Sequence, residues 1–209
     1  MKNSTIFLFL ITTVICLFSG CSKAQEKPQD ENVSQMNKNI LIVYLSRTKN
    51  TKAVATIIHK NVGGSLVELE LQKPYPEDYK TIVSQVANEN ETGFLPPLKT
   101  KIENIEKFDV VFLGFPTWGM QLPPPMKSFL KQYNLEGKII VPFNTNAGYG
   151  IGSTFKTVKE LCPKSKILEG FSTKGGIERD GVLFVMEGEK EKQVQIEVHN
   201  WLNKIGFIN

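Results

Sequence analysis

Six residues, Ser46-Arg47-Thr48-Lys49-Asn50-Thr51, follow directly on the apolar run Ile40-Leu41-Ile42-Val43-Tyr44-Leu45. The stretch after them, through Ile57 and Ile58, reads as a helix. A buried strand that opens through Ser, Thr and Asn into a helix start makes a place for a phosphate. Unpaired backbone N–H groups and the positive end of the helix dipole converge on such a turn. Short hydroxyl and amide side chains add donors without blocking the approach. The glycine-lysine signature of nucleotide triphosphatases is absent, so the turn suits one terminal phosphate rather than triphosphate hydrolysis. A capped helix start with no ligand is the plainer alternative, since Ser, Thr and Asn are good N-caps.

Two further loops are rich in groups that could meet a ligand. One is Pro116-Thr117-Trp118-Gly119-Met120-Gln121-Leu122-Pro123-Pro124-Pro125, and the other is Asn144-Thr145-Asn146-Ala147-Gly148-Tyr149-Gly150-Ile151-Gly152. Trp118 offers a large flat apolar face, and the glycine after it permits close backbone approach. Packing of Trp118 against Pro123 and Pro124, and simple exposure of Tyr149, are the alternatives. His59 and His199 fall on helix candidates away from these loops. Cys162, in Glu160-Leu161-Cys162-Pro163, reads as a small packing residue at a helix end. No residue is singled out as a catalytic acid, base or nucleophile, and no metal site is expected.

The elements that must position these loops alternate regularly. Strand candidates are 40–45, 66–71, 109–115, 138–143 and 166–171. Helix candidates are 50–61, 78–90, 125–133, 153–161 and 189–204, the last with Val194, Val198, Trp201, Leu202 and Ile205 at helical spacing. Strands such as Val110-Val111-Phe112-Leu113 are apolar on consecutive positions, which implies burial on both faces. The alternation predicts an α/β domain, a doubly wound five-stranded parallel sheet with helices on both faces. Ligands then sit beyond the C-terminal strand ends, where the loops after strands one, three and four lie. Residues 92–107 and 172–188 form longer connections, the second with room for a hairpin or edge strand in Val182–Met186.

The first residues belong outside this domain. Lys2 precedes an apolar run from Ile6 to Leu17, and Leu17-Phe18-Ser19-Gly20-Cys21 closes it. The run is short for a membrane span and ends as an export signal does. Small residues before a cysteine resemble the bacterial lipobox, so residues 1–20 are expected to be a lipoprotein signal peptide with lipid on Cys21. Residues 21–38 are polar and read as a flexible tether, leaving 39–209 as the domain. With Cys16 and Cys21 assigned to the signal and the lipid, Cys162 is left without an intrachain partner. Lys and Arg total 25 against 21 for Asp and Glu, a net +4 with no dense basic block, which argues against nucleic acid.

Taken together, the three loops resemble those of the flavodoxin family. The likeness covers about residues 39 to 209 and is nearest to a bacterial branch with a Pro-x-Trp loop after strand three. That branch carries a Cys-Pro-x-x-x-x-Leu-x-Gly segment, matched here by Cys162-Pro163-Lys164-Ser165-Lys166-Ile167-Leu168-Glu169-Gly170. The resemblance implies strand order 2-1-3-4-5 and bound FMN. Ser46, Thr48, Asn50 and Thr51 would hold the 5′-phosphate, with Arg47 and Lys49 adding backbone contacts and local positive charge. Pro116, Thr117, Trp118 and Gly119 would border the flavin ring. Asn144, Thr145, Asn146 and Gly148 would approach its pyrimidine edge, and Tyr149 would cover the other face or the ribityl chain. Family members commonly have Gly where Lys49 stands, so a positive φ there would strain this chain.

The expected function is electron transfer by FMN in a protein held by lipid at the bacterial cell envelope, in the periplasm or on an outer membrane face. A redox partner protein or a small quinone-like acceptor would take or give the electrons. The next reading is an FMN-dependent NAD(P)H:quinone or nitro-compound reductase, although no second dinucleotide fingerprint is present. The third is a flavodoxin-shaped binding lipoprotein without cofactor.

Overall fold

The computed structural model describes residues 38–209. The expected signal peptide, Cys21 and all of the expected tether before residue 38 lie outside them. The chain order is β1 (Ile40–Tyr44), α1 (Asn50–Val62), β2 (Ser65–Glu68), α2 (Tyr79–Thr92), β3 (Val110–Pro116), α3 (Pro124–Gln132), β4 (Ile139–Asn146), α4 (Thr154–Leu161), β5 (Lys166–Ile167), β6 (Phe171–Lys174) and α5 (Gly188–Lys204). All strand pairs are parallel and the order is β2-β1-β3-β4-β5, as expected, with β6 also on β4.

Alternate residues of each central strand enter opposite cores. Ile40, Ile42 and Tyr44 of β1, with Val110 and Phe112 of β3, pack under α1 and α5. Leu41, Val43, Val111, Leu113 and Phe115 pack under α3 and α4, with Met126, Phe129 and Val158. A consecutive apolar strand is therefore two half-patterns with period two, each facing its own helical layer. Gly114 is the gap in this rule, since a Cβ there would lie 2.1 Å from the Phe143 ring on β4. The glycine gives the neighbouring phenylalanine its space.

The fifth strand expected over 166–171 is two pieces. Ile140 of β4 pairs with Ile167, whereas Phe143 pairs with Phe171, so three steps on β4 face four on its neighbour. One extra residue is accommodated as in a β-bulge. Pro142 lies opposite the interruption and offers no N–H to a ladder. A Cβ at Gly170 would sit 2.9 Å from the Pro142 carbonyl oxygen, so glycine is needed at the break. The segment 172–188 begins as β6, then folds through a short 3-10 turn, Glu178–Asp180, closed by an antiparallel bridge from Ile177 to Val182. Among the described residues no helix is long and apolar enough to cross a membrane.

Candidate functional site

Lys49 controls the entry to α1. Its φ of 65° and ψ of −6° are left-handed, and no side chain caps the helix. That backbone turn leaves the N–H groups of Thr48, Lys49, Asn50 and Thr51 without an acceptor among the described residues. The N–H of Lys52 is the next along, and it donates to Ser46 Oγ at 3.2 Å. The positive φ anticipated from the missing glycine is thus present, with Lys49 itself exposed.

The side chains of the turn have structural partners. Asn50, 3% exposed, donates through Nδ2 to Thr48 Oγ1 and to the Leu183 carbonyl, and its Oδ1 accepts from the Val185 N–H. Thr51 and Thr145 hydroxyls meet at 2.8 Å, joining the first loop to the end of β4. Arg47 does more than add local charge. Its Nε pairs with Glu178 at 2.7 Å, and its other nitrogens donate to the Pro76 and Glu77 carbonyls. The donors left for an anion are the backbone amides of the turn and the Ser46 and Thr48 hydroxyls, which act there only as acceptors, in keeping with capture by a helix start.

The loop after β3 is a tight reversal in which Trp118 and Gln121 exchange backbone hydrogen bonds. Gly119 (φ 55°) and Met120 (φ 61°) both have positive φ, as the centre of a type I′ turn requires. A Cβ at Gly119 meets nothing within 4 Å, so its need for glycine is conformational. Met120 carries strain instead, and its carbonyl is fixed by the Ser153 N–H at 2.9 Å from the fourth-strand loop. Trp118 is half-buried and stands edge-on to Tyr75, with ring centroids 5.5 Å apart. Tyr75 in turn donates to the buried Glu89 of α2. Burial, then the adjacent Glu89 carboxylate, drives the Tyr75 hydroxyl pKa well above the ordinary phenol value. This neutral phenol braces the tryptophan from behind.

In the fourth-strand loop, Asn144 is fully buried and turned inward. Its amide donates to the Phe115 carbonyl and Thr117 Oγ1, and its oxygen accepts from Ser172 and Asn146. Asn146 Oδ1 accepts the N–H groups of Gly148 and Gly150, shaping the turn. Tyr149 is 65% exposed at the rim, where its hydroxyl accepts from Arg179 at 3.3 Å. A Cβ on Gly148 (φ 98°) would lie 3.3 Å from the flexible Lys174 side chain.

These loops meet in one cleft of about 900 Å³ at the C-terminal ends of β1, β3 and β4. Arg47, Thr48, Asn50, Thr51, Pro116, Thr117, Trp118, Gly119, Thr145, Asn146 and Tyr149 line it, while Ser46, Lys49, Asn144 and Gly148 are not among its lining residues. Sequence reasoning missed two walls. Gly175, Gly176, Ile177, Glu178 and Arg179 supply one, signalled beforehand by the glycine pair. A Cβ on Gly176 would reach 2.2 Å from the Leu183 carbonyl oxygen, so that pair is required by packing. The second wall is α2 from Tyr79 to Glu91, which the periodicity presented only as an ordinary amphipathic helix.

A parallel doubly wound sheet with an anion-ready helix start and an aromatic-flanked cleft at its switch point defines the class of mononucleotide-binding α/β proteins. A family model described as Flavodoxin matches residues 39–187, and the chain belongs to the flavodoxin family. Among solved structures it is similar to a candidate flavoprotein from Bacteroides eggerthii DSM 20697, at 29% identity and a TM-score of 0.66, covering 81% of this chain and 98% of that one. A second, from Bacteroides uniformis ATCC 8492, gives 22% identity and a TM-score of 0.64 over 78% and 98%. A flavoprotein from Lactobacillus acidophilus NCFM, solved in complex with FMN, shares the fold at 20% identity and a TM-score of 0.57 over 69% and 98%. No curated protein matches the chain.

Proposed function

We propose that this protein binds FMN noncovalently and transfers electrons at the bacterial cell envelope. The observation that carries the reading is the convergence of three loops on one cleft, with the unpaired amides of Thr48–Thr51 at one wall and Trp118 and Tyr149 at others. The donor set fits a phosphate monoester. Trp118, braced by Tyr75, and Tyr149, tied to Arg179, present aromatic surface suited to a flat heteroaromatic ring. FMN supplies the one- and two-electron chemistry when bound. The chain's part is to hold the phosphate on backbone donors, orient the ring and exclude water from its faces. Thr117, whose N–H bonds the Thr145 carbonyl, keeps the third and fourth loops in fixed relation.

The charges of the cleft favour a carrier over an NAD(P)H-dependent reductase. Its two lining arginines, Arg47 and Arg179, are paired with Glu178 and Asp180, and no lysine lines it. A dinucleotide pyrophosphate would find little free positive charge there. Titration of purified protein with FMN tests the reading through flavin absorbance and fluorescence. Saturable 1:1 uptake that weakens in Trp118→Ala supports it, and a protein that takes up no flavin is instead a cofactor-free binding protein. NAD(P)H oxidation at ordinary enzyme rates by the loaded protein would favour the reductase. Anchoring rests on the Leu17–Cys21 motif. Detergent-phase partitioning that is lost in Cys21→Ser is the expected result for a lipoprotein.

A further inference from the structure

We propose that helix α2 forms a second subsite in the same cleft, for a flat, uncharged aromatic or quinoid molecule lying beside the flavin ring; this rests on FMN occupying the three-loop end. Tyr79, Ile82, Val83, Val86, Ala87 and Asn90 all line the cleft. They recur at the i, i+3, i+4, i+7, i+8 and i+11 positions of one helical stripe, which runs about 16 Å. In a sheet-covering helix such a stripe enters the core. Here Ile82 and Val86 are buried, 4% and 5% exposed, yet belong to neither apolar cluster of the sheet. Val83 and Tyr79, on the same stripe, remain 48% and 37% exposed.

The three loops already account for a phosphate, two ring faces and a polar edge, without any residue of α2. The cleft volume, about 900 Å³, lies near the top of the range of roughly 300–1,000 Å³ usual for small-molecule sites. Room and apolar surface are thus left over along α2, continuous with the Trp118 and Met120 wall. The chemistry of that surface selects the occupant. Its only lining charge is the Glu91 carboxylate, and the Lys127 ammonium of α3, which donates to Asn90 Oδ1 at 2.8 Å, leaves the stripe near neutral. Phosphate-bearing and carboxylate-bearing molecules are disfavoured there, and an uncharged planar molecule gains by leaving water.

The test uses oxidised, FMN-loaded full-length protein and 2-methyl-1,4-naphthoquinone as the probe, with binding followed by calorimetry. Val83→Glu places a carboxylate inside the stripe, and Ser84→Glu places the same charge on an exposed position of the helix outside the cleft lining. Expected are saturable quinone binding, a loss of about tenfold or more in Val83→Glu from placing a charge against apolar surface, and little change in Ser84→Glu. FMN affinity, titrated separately in both variants, stays near the unsubstituted value. Quinone binding that is absent, or indifferent to Val83→Glu, overturns the subsite while leaving the FMN reading intact. Equal weakening of FMN and quinone by Val83→Glu also overturns it, by making α2 part of the cofactor site. A protein that binds no FMN overturns both.

Discussion

Lys49 shows how one residue type can record both a requirement and its cost. A left-handed backbone is needed for the turn to present its amides, yet an L-residue pays roughly 1–2 kcal/mol for that conformation. Lys49→Gly is expected to raise stability by about 1 kcal/mol, partly offset by the greater freedom of glycine in the unfolded chain. Urea unfolding measures it, and an unchanged or lower midpoint would show that the conformation is not strained here. FMN affinity should hold or tighten, because the exposed lysine side chain is not among the cleft-lining residues. The strain was anticipated only through the resemblance, since family members commonly have Gly where Lys49 stands and the residue itself gives no sign of a positive φ. The inward rotation of Asn144 was not: its partners Phe115 and Ser172 come from other strands, and a polar loop residue gives no sign of which way it points.

At the level of elements, the bounds of most strands and helices followed from periodicity, because burial pattern and local geometry share the same repeat. What escaped was the meaning of that repeat in α2, where an apolar stripe faces a cleft instead of a core. The segment 175–187 escaped for a different reason, as its hold on the fold joins one buried core residue, Met186, to a few long-range hydrogen bonds. Asn50 supplies two of them, to Leu183 and Val185. Asn50→Ala should cost about 1–3 kcal/mol by leaving those backbone groups unpaired. Limited proteolysis checks the location of the effect: new cleavage is expected within residues 176–186, and cleavage elsewhere would mean that Asn50 does not anchor this segment. Gly114→Ala tests the packing between strands. A loss of about 1–3 kcal/mol is expected from forcing a methyl against Phe143, and an unchanged denaturation midpoint would contradict it.

For the molecule as a whole, the parallel order and the switch-point position of the cleft were readable, whereas the bulged fifth strand depended on Pro142 lying opposite it. Stability should fall on the alkaline side. Burial pushes the Cys162 thiol from 9.0 up to about 11, so the folded state keeps a proton that the unfolded chain loses. Its contribution is full below about pH 9 and is lost as pH rises toward 11. Tyr44 and Tyr75 act in the same direction above pH 10, since burial first and then neighbouring carboxylates raise both. Denaturation midpoints measured from pH 8 to 11 should therefore decline, less steeply in Cys162→Ala, and a flat profile would count against these shifts. The divided fifth strand has a consequence for behaviour at high concentration. One border of the sheet is β2, four residues long, and the other is made of a two-residue and a four-residue piece out of register with each other. A foreign chain seeking to extend the ladder meets only short templates on either border, so the break opposite Pro142 guards the protein against edge-to-edge aggregation.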